Sequence, residues 1–406
     1  MKENSSTFNF LDDQMKDVIK NQVTIRRKNS LEEKSSIFKT KMQLKNTIVD
    51  VPLKDYKSNI LSLEKELFSN LNLEWGVDII SEDIPLIDIN NNKYYCHLIR
   101  TANPDPNKDN FLLIHGFITS GLHFFALIPY LIKRYNVFIP DTIGMGLSCR
   151  PKIKFTSPKQ TEEFFISTYH IIIEDIFFNN KYNIKKEYFF CGHSLGGFIA
   201  SRYMLKYPKG IKKVLLLSPV GITDHRIPGT NTNSDMSCCY YSLSVIAPTC
   251  LWPCRIRAQD LYRNCCFHNC IKNNYGFDEF NLDEDEIKKN KEGSKFSVNK
   301  NRIKEILSDL AIISLEYPDD LYDCIYYIFT LPPPATIIPI ERSLKHFNTI
   351  DIVFVYGKDD FMDKFGAYRL HQFDPDKYKI FTTKEGGHSF TYESPKELYS
   401  IFEEFF

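Results

Sequence analysis

Net charge, a run of apolar residues long enough to span a membrane, and paired cysteine motifs are all missing from this 406-residue sequence. Each absence removes a class of function. Because 51 Lys and Arg balance 51 Asp and Glu, no global field draws the chain to nucleic acid or steers a partner electrostatically. No stretch approaches the roughly eighteen uninterrupted apolar residues of a spanning helix, so any membrane contact is expected to be peripheral. The N-terminal MKENSSTFNF lacks the apolar core of a signal peptide. Eleven cysteines in a chain of this length suit reduced thiols better than a secreted disulfide scaffold, and the expectation is an intracellular protein. Structural zinc favours C-x-x-C spacing, which does not occur; no metal and no cofactor are expected.

What is present is apolar material: 43% hydrophobic and 14% aromatic residues, enough for a full core with an insertion or tail beside it. Residues 1–75 are rich in Lys, Asn and Ser, with nine Lys/Arg against three acids between Gln14 and Ile48, and suit a flexible or partly helical extension. From Ile84 the texture changes. IPLIDI and KYYCHLIR, split by Asn90-Asn91-Asn92, alternate like a hairpin, and FLLIHGF reads as a short buried strand. Strand and helix patterns then alternate: HFFALIPYLIKRY helical, NVFIPD strand, TEEFFISTYHIIIEDIFF helical, EYFFCGHS strand, LGGFIASRYMLKYP helical, KKVLLLSPVG strand. This rhythm predicts an α/β fold whose mostly parallel sheet is covered by helices on both faces. It breaks at residues 222–349, where Cys, aromatic, Pro and charged residues mix, and resumes over 350–406. An inserted, mainly helical segment within one α/β core spanning 76–221 and 350–406 accounts for the pattern.

Gly192-His193-Ser194-Leu195-Gly196 is a G-x-S-x-G placed directly after a strand pattern and directly before a helix pattern. A serine in so tight a turn sits at strained dihedrals, and the positions two before and two after must be small; Gly192 and Gly196 meet that need. A hydroxyl is a poor nucleophile at its free pKa, so Ser194 needs a base, and the base an orienting carboxylate, in the chain order Ser, acid, His. His388 follows a strand and two glycines in FTTKEGGHSF, and VFVYGKDDFMD puts Asp359, Asp360 and Asp363 just beyond a strand, where a loop can carry a carboxylate over the sheet's edge. Asp360 is the favoured acid and Asp363 the alternate. Developing negative charge on an acyl group needs backbone N–H donors; the amides of Leu195, at the helix start, and Phe117, in the loop after FLLIHGF, are the candidates. His115 in that loop reads as a brace and not as a base.

LLIHGFITSGLHFF, the D-x-x-G-x-G-x-S-x-R-P segment from Asp141 to Pro151, GHSLGG, VYGKDDFMD and GGHSFTYESPKEL together resemble the α/β-hydrolase branch that contains the ABHD4 and CGI-58-type lipid enzymes. The resemblance covers roughly residues 85–220 and 350–406. It implies an α/β-hydrolase fold with a lid, hydrolysis of acyl chains from phospholipids or lysophospholipids, in some members acyl transfer to lysophosphatidic acid, and a lid that touches membrane or lipid-droplet surfaces. LYDCIYYIFTLPPPAT looks like a weaker version of that branch's lid. Transferase members carry H-x-x-x-x-D, whereas the run from His388 ends in Glu393; coactivator members that work through a partner lipase have Asn in place of the nucleophile, whereas this chain has Ser194.

Seven cysteines between Ser237 and Cys270 accompany Tyr240, Tyr241, Leu251, Trp252 and Phe267. Outward apolar residues there would let the insertion rest on a lipid surface, while the thiols read as small apolar residues of a helical lid in preference to acylation sites or zinc ligands. The expected partner is a lipid or acyl-ester substrate, with no nucleic acid and with a protein partner left open.

Overall fold

The computed structural model describes residues 54–87, 93–179, 181–224, 280–283, 285, 287, 298–316, 324, 339–347 and 349–406. Eight strands form one sheet: β1 (Ile79–Ile87), β2 (Lys93–Thr101), β3 (Asp109–Ile114), β4 (Tyr135–Pro140), β5 (Tyr188–His193), β6 (Ile211–Leu217), β7 (Asp351–Tyr356) and β8 (Tyr378–Thr382). Their spatial order is β1-β2-β4-β3-β5-β6-β7-β8. The hairpin β1/β2 and the β2/β4 pair are antiparallel; all other neighbours are parallel. Burial on both faces of parallel strands requires near-continuous apolar runs, and all six residues of β5 are buried.

Successive side chains of a strand point to opposite faces, and β5 shows what covers each. Phe189 packs on Phe406 at 4.0 Å, just past the closing helix, while Phe190 meets Tyr203 edge-on at 5.6 Å, on the helix that follows β5. The expected two-faced α/β architecture is therefore present. The chain leaves β3 for β4 on one side and returns to β5 on the other, so the carboxyl ends of β3 and β5, paired at Ile114 and Gly192, form the topological switch point where ligand crevices open in such sheets.

The folded body begins earlier than the composition of residues 1–75 suggests. Helix α1 (Lys54–Asn70) presents Ile60, Glu64, Leu67 and Phe68 to the interior, all buried, at the spacing of one helical face. Burying Leu67 and Phe68 contributes about 1.5–3 kcal/mol each. Glu64, buried on that face, meets His97 of β2 at 3.2 Å. Burial alone would lower the His97 pKa, but the Glu64 charge and the bonds from Asp83 and Glu64 raise it to about 10, so the imidazolium compensates the carboxylate that lies beside it.

The segment HFFALIPYLIKRY forms a 3-10 turn at Gly121–Phe124 and a short helix α2 (Ile128–Leu131) where one longer helix was expected. Pro129 lies in the first turn of α2, where a residue lacking an N–H is tolerated; further inside a helix it is not. Helices α3 (Pro158–Ile173) and α4 (Leu195–Lys206) follow.

β6 and β7 are adjacent and parallel, with Leu217 opposite Val355, although residues 218–350 lie between them. Within that stretch, helix α5 (Lys300–Glu316) buries Ile303, Ile306, Leu307 and Leu310, again one face, and seats on α1 through both oxygens of Glu66, which accept from Arg302 at 2.6 and 2.7 Å. The cysteine-rich segment 237–270 lies outside the described residues, as does the stretch 321–336 apart from Cys324. After the insertion come α6 (Ile340–Leu344), β7, α7 (Phe365–Phe373), β8, α8 (Phe390–Glu393) and α9 (Pro395–Phe405).

If α1 belongs to the core, truncating its buried face must cost as much as a core deletion elsewhere. Phe68→Ala is expected to lower unfolding stability by about 3–5 kcal/mol, read from urea midpoints; a loss under about 1 kcal/mol, typical of surface positions, would place α1 outside the cooperative unit.

Candidate active site

The glycines of the G-x-S-x-G are required by contacts that a side chain would destroy. A Cβ at Gly196 would stand 2.2 Å from the Ile114 carbonyl oxygen at the end of β3, and one at Gly192 would stand 2.3 Å from the Gly196 oxygen. Between them Ser194 adopts φ 53° and ψ −113°, backbone that an L residue keeps only when its surroundings hold it there. The restraint is visible: the Ser194 amide donates to the Leu217 carbonyl at 2.8 Å, and the Val220 amide donates to the Ser194 carbonyl at 3.2 Å. The hydroxyl is thereby carried on the first residue beyond β5, immediately ahead of α4.

His388 reaches the same place from the loop after β8. Its Nδ1 lies 3.0 Å from Asp360 Oδ1. A carboxylate only accepts, so Nδ1 carries the proton and Nε2 is left with a lone pair. The Asp360 side chain is fully buried, while that of His388 is 20% exposed. Burial would raise the Asp360 pKa, but the His388 charge and hydrogen bond, the Ser218 hydroxyl and the Met362 amide outweigh it and bring the carboxyl down to about 2. The neighbouring acids have other contacts. The Asp363 carboxylate accepts from the Phe365 amide at 2.7 Å, at the start of α7, and the Asp359 amide donates to the Gly386 carbonyl at 3.0 Å, joining the acid loop to the His388 loop. Of the three, Asp360 is the one whose carboxylate meets His388.

Ser194 and His388 line one cavity of about 110 Å³ together with Gly116, Phe117, Ile118, His123, His193 and Tyr392, and with Leu307 and Leu310 of α5. Gly116 packs so close to the turn that a Cβ there would lie 3.1 Å from His193 Nδ1 and 3.2 Å from Ser194 Cβ. The loop after β3 carries a second strained residue, Ile118 at φ 62°, and is braced by His115. His115 Nε2 accepts from the Thr142 amide at 2.9 Å, so its Nδ1 is the donor, 2.8 Å from the Gly116 carbonyl. Burial lowers the His115 pKa, only partly offset by Asp141; the ring is a neutral strut, in keeping with the expectation that it braces the loop. The Asp141–Pro151 segment closes around its own aspartate: Asp141 accepts from the amides of Gly121 at 2.6 Å and Leu147 at 2.7 Å. Gly146, at φ +53°, leaves no room for a Cβ there, since it would fall 2.0 Å from Asp141 Oδ2.

Two contributors were not apparent from sequence. Ser218, also at positive φ (45°), stands at the end of β6 and donates its hydroxyl to Asp360; a serine before Pro219 at a strand end was the available signal. His193, the variable residue of the G-x-S-x-G, stacks on His123 at 4.2 Å and lies 4.7 Å from the His388 ring. Burial, with the nearby His388 charge, lowers its pKa to about 3; burial, then His193 and His388, hold His123 well below the usual histidine range. Among the described residues no cluster of His, Cys, Asp or Glu is arranged to hold a metal ion, and no helix is long and apolar enough to cross a membrane.

A hydroxyl at a strained strand-to-helix turn, an imidazole with its distal nitrogen free, and a buried carboxylate behind it define a class of site, and the comparisons agree with the fold that carries it. The alpha/beta hydrolase fold family matches residues 109–395, and the chain belongs to that family. Within it, an Arabidopsis thaliana 1-acylglycerol-3-phosphate O-acyltransferase is 22% identical over 290 residues, covering 71% of this chain and 64% of its own length. A human (lyso)-N-acylphosphatidylethanolamine lipase is 29% identical over 123 residues, 30% of this chain and 33% of its own. The chain thus matches from a third to just under two thirds of these relatives. Among solved structures, a Bacillus subtilis carboxylesterase, CesB, superposes with a TM-score of 0.53 at 13% identity, over 86% of this chain and 98% of its own.

The titration of these groups sets a sign for acid stability. His193 has a folded pKa of about 3 against 6.5, so the unfolded chain takes up its proton first and stability is lost as pH falls from about 6.5 toward 3. Asp360, at about 2 against 3.8, contributes fully above about pH 4 and loses its contribution as pH falls toward 2. Unfolding free energy from urea titrations should fall between pH 7 and pH 4.5, and His193→Phe should flatten that slope; an unchanged slope in the variant contradicts a buried neutral imidazole.

Proposed function

We propose that this chain is a serine hydrolase that cleaves acyl esters of phospholipids, lysophospholipids or related lipids through an acyl-enzyme. The observation that carries the reading is the His388 Nδ1 contact with Asp360, 3.0 Å, at the cavity that Ser194 also lines. In this mechanism Ser194 Oγ attacks the ester carbonyl while His388 Nε2 takes its proton. Asp360 holds the tautomer and stabilises the imidazolium. The amides of Phe117 and Leu195 receive the developing oxyanion, a contribution of about 3 kcal/mol for a single donor in a related site. His388 then returns the proton to the leaving alkoxide, and water deacylates the serine by the same steps in reverse order.

The lipid class of the substrate draws support from the activities for which the Arabidopsis and human relatives are named and from the apolar side of the cavity, which Leu307 and Leu310 line together with Ser194 and His388. The insertion that supplies these leucines acts in the proposal as a lid, and as the surface by which the enzyme rests on a membrane or lipid droplet. A second reading, interception of the acyl-enzyme by lysophosphatidic acid in place of water, is favoured by the acyltransferase relatives. A third, lipase coactivation without catalysis, has the Ser194, Asp360 and His388 set against it.

A fluorophosphonate probe reacts with an activated serine and tests the reading. Wild type should label, and Ser194→Ala should not. Asp360→Asn should slow labelling by about 10³–10⁴-fold, whereas Asp363→Asn should remain within a few-fold of wild type. A folded wild type that does not label removes the enzyme reading; Asp363→Asn behaving as Asp360→Asn is expected to behave would reassign the acid.

A further inference from the structure

Two glycines precede His388, and Gly386 adopts φ +94°. Such a loop has no intrinsic stiffness, yet an error of about 1 Å in a catalytic group costs on the order of 100-fold in rate. Something must hold the backbone that bears His388, and two part-buried polar contacts do so at neighbouring residues. The Gly387 amide donates to Glu393 Oε2 at 2.6 Å. The His388 carbonyl lies 2.8 Å from His193 Nε2; a carbonyl only accepts, so Nε2 is the donor and Nδ1 is the bare nitrogen.

We propose that His193 and Glu393 clamp the backbone of the His388 loop from its two sides and are positioning residues for the base, an inference that rests on the reading of Ser194, Asp360 and His388 as the reacting set. His193 follows β5 and sits one residue before Ser194, so its bond fixes the base relative to the nucleophile and not merely to its own loop. His193 is 2% exposed, its Nδ1 is buried with no hydrogen-bond partner among the described residues, and the ring is wedged between His123 and His388. A buried nitrogen without a partner is unfavourable; an apolar residue would avoid it, so the imidazole is retained for its other nitrogen.

Glu393 ends the H-x-x-x-x-E run, where a carboxylate could be supposed to act on an incoming acceptor hydroxyl. Its oxygen is instead committed to the Gly387 amide, and a Cβ at Gly386 would come within 3.0 Å of it. Among the described residues, the Ser194 cavity is lined by Tyr392, while Glu393 lines a separate groove with Asn281, Lys384 and Lys396. Glu393 therefore serves acylation as a whole, and its loss affects hydrolysis and transfer alike.

The test uses the full chain and a fluorophosphonate, reading both the rate constant of labelling and the final fraction labelled. His193→Phe keeps an aromatic ring and loses the donor; Glu393→Leu loses the acceptor. Each should slow labelling by about 10–100-fold with the final fraction unchanged, and for a soluble ester kcat should fall with little change in KM. His193→Gln and Glu393→Gln, which retain an N–H and an acceptor oxygen, should recover most of the rate. Wild-type rates in His193→Phe and Glu393→Leu overturn the clamp, and so does a smaller labelled fraction at the wild-type rate, which would mark the residues as supports of folding only. A wild type that never labels overturns the reading of Ser194 itself and is thereby told apart from failure of the clamp.

Discussion

The close approach of Gly196 to the end of β3 is the constraint on which the rest of the site depends. With the Gly196 Cα pressed against the Ile114 carbonyl, the chain can turn from β5 into α4 within one residue, and that residue, Ser194, is held at positive φ. The parallel register then levels the neighbouring strands. Ile114 pairs with Gly192, His193 with Leu217, and Leu217 with Val355, so β3, β5, β6 and β7 end together. The loops that leave them carry Gly116 and Phe117, Ser194, Ser218 and Asp360 to one height above the sheet. A site assembled from residues 116 to 388 is thus a local consequence of strand pairing, and the insertion between β6 and β7 adds the apolar wall without disturbing it.

Electrostatics sort the polar groups gathered there. Asp360 is buried and ionised because three donors, His388, Ser218 and Met362, compensate its desolvation. His115, His123 and His193 lie in the same dry region, where a charged imidazole is disfavoured. Only His388 has a carboxylate in hydrogen-bond contact among these four rings. The Asp141 carboxylate, by contrast, accepts from two backbone amides and serves to hold the loop that faces Ser194.

Much of this was legible in the sequence because it is carried by short-range patterns. The strand-to-helix context of Gly192 to Gly196, the position of His388 after a strand and two glycines, and the alternation of strands and helices all follow from local periodicity and turn chemistry. The acid was less legible: Asp359, Asp360 and Asp363 share one loop, and what separates them is three-dimensional, the Ser218 hydroxyl and Met362 amide in one case and the Phe365 amide in another. Helix α1 was obscured by its Lys- and Ser-rich surface and by Glu64, a charge on the buried face that makes sense only beside His97. The contacts of His193 with the His388 loop span 195 residues, and no local signal announces them.

The central claim is that Ser194 becomes acylated, and mass spectrometry of the stopped reaction addresses it directly. On mixing with an activated acyl ester, the account predicts a burst of alcohol equal to the enzyme concentration and an acyl mass increment on the peptide that carries Ser194. Turnover without such an adduct, or an adduct confined to another residue, would contradict it.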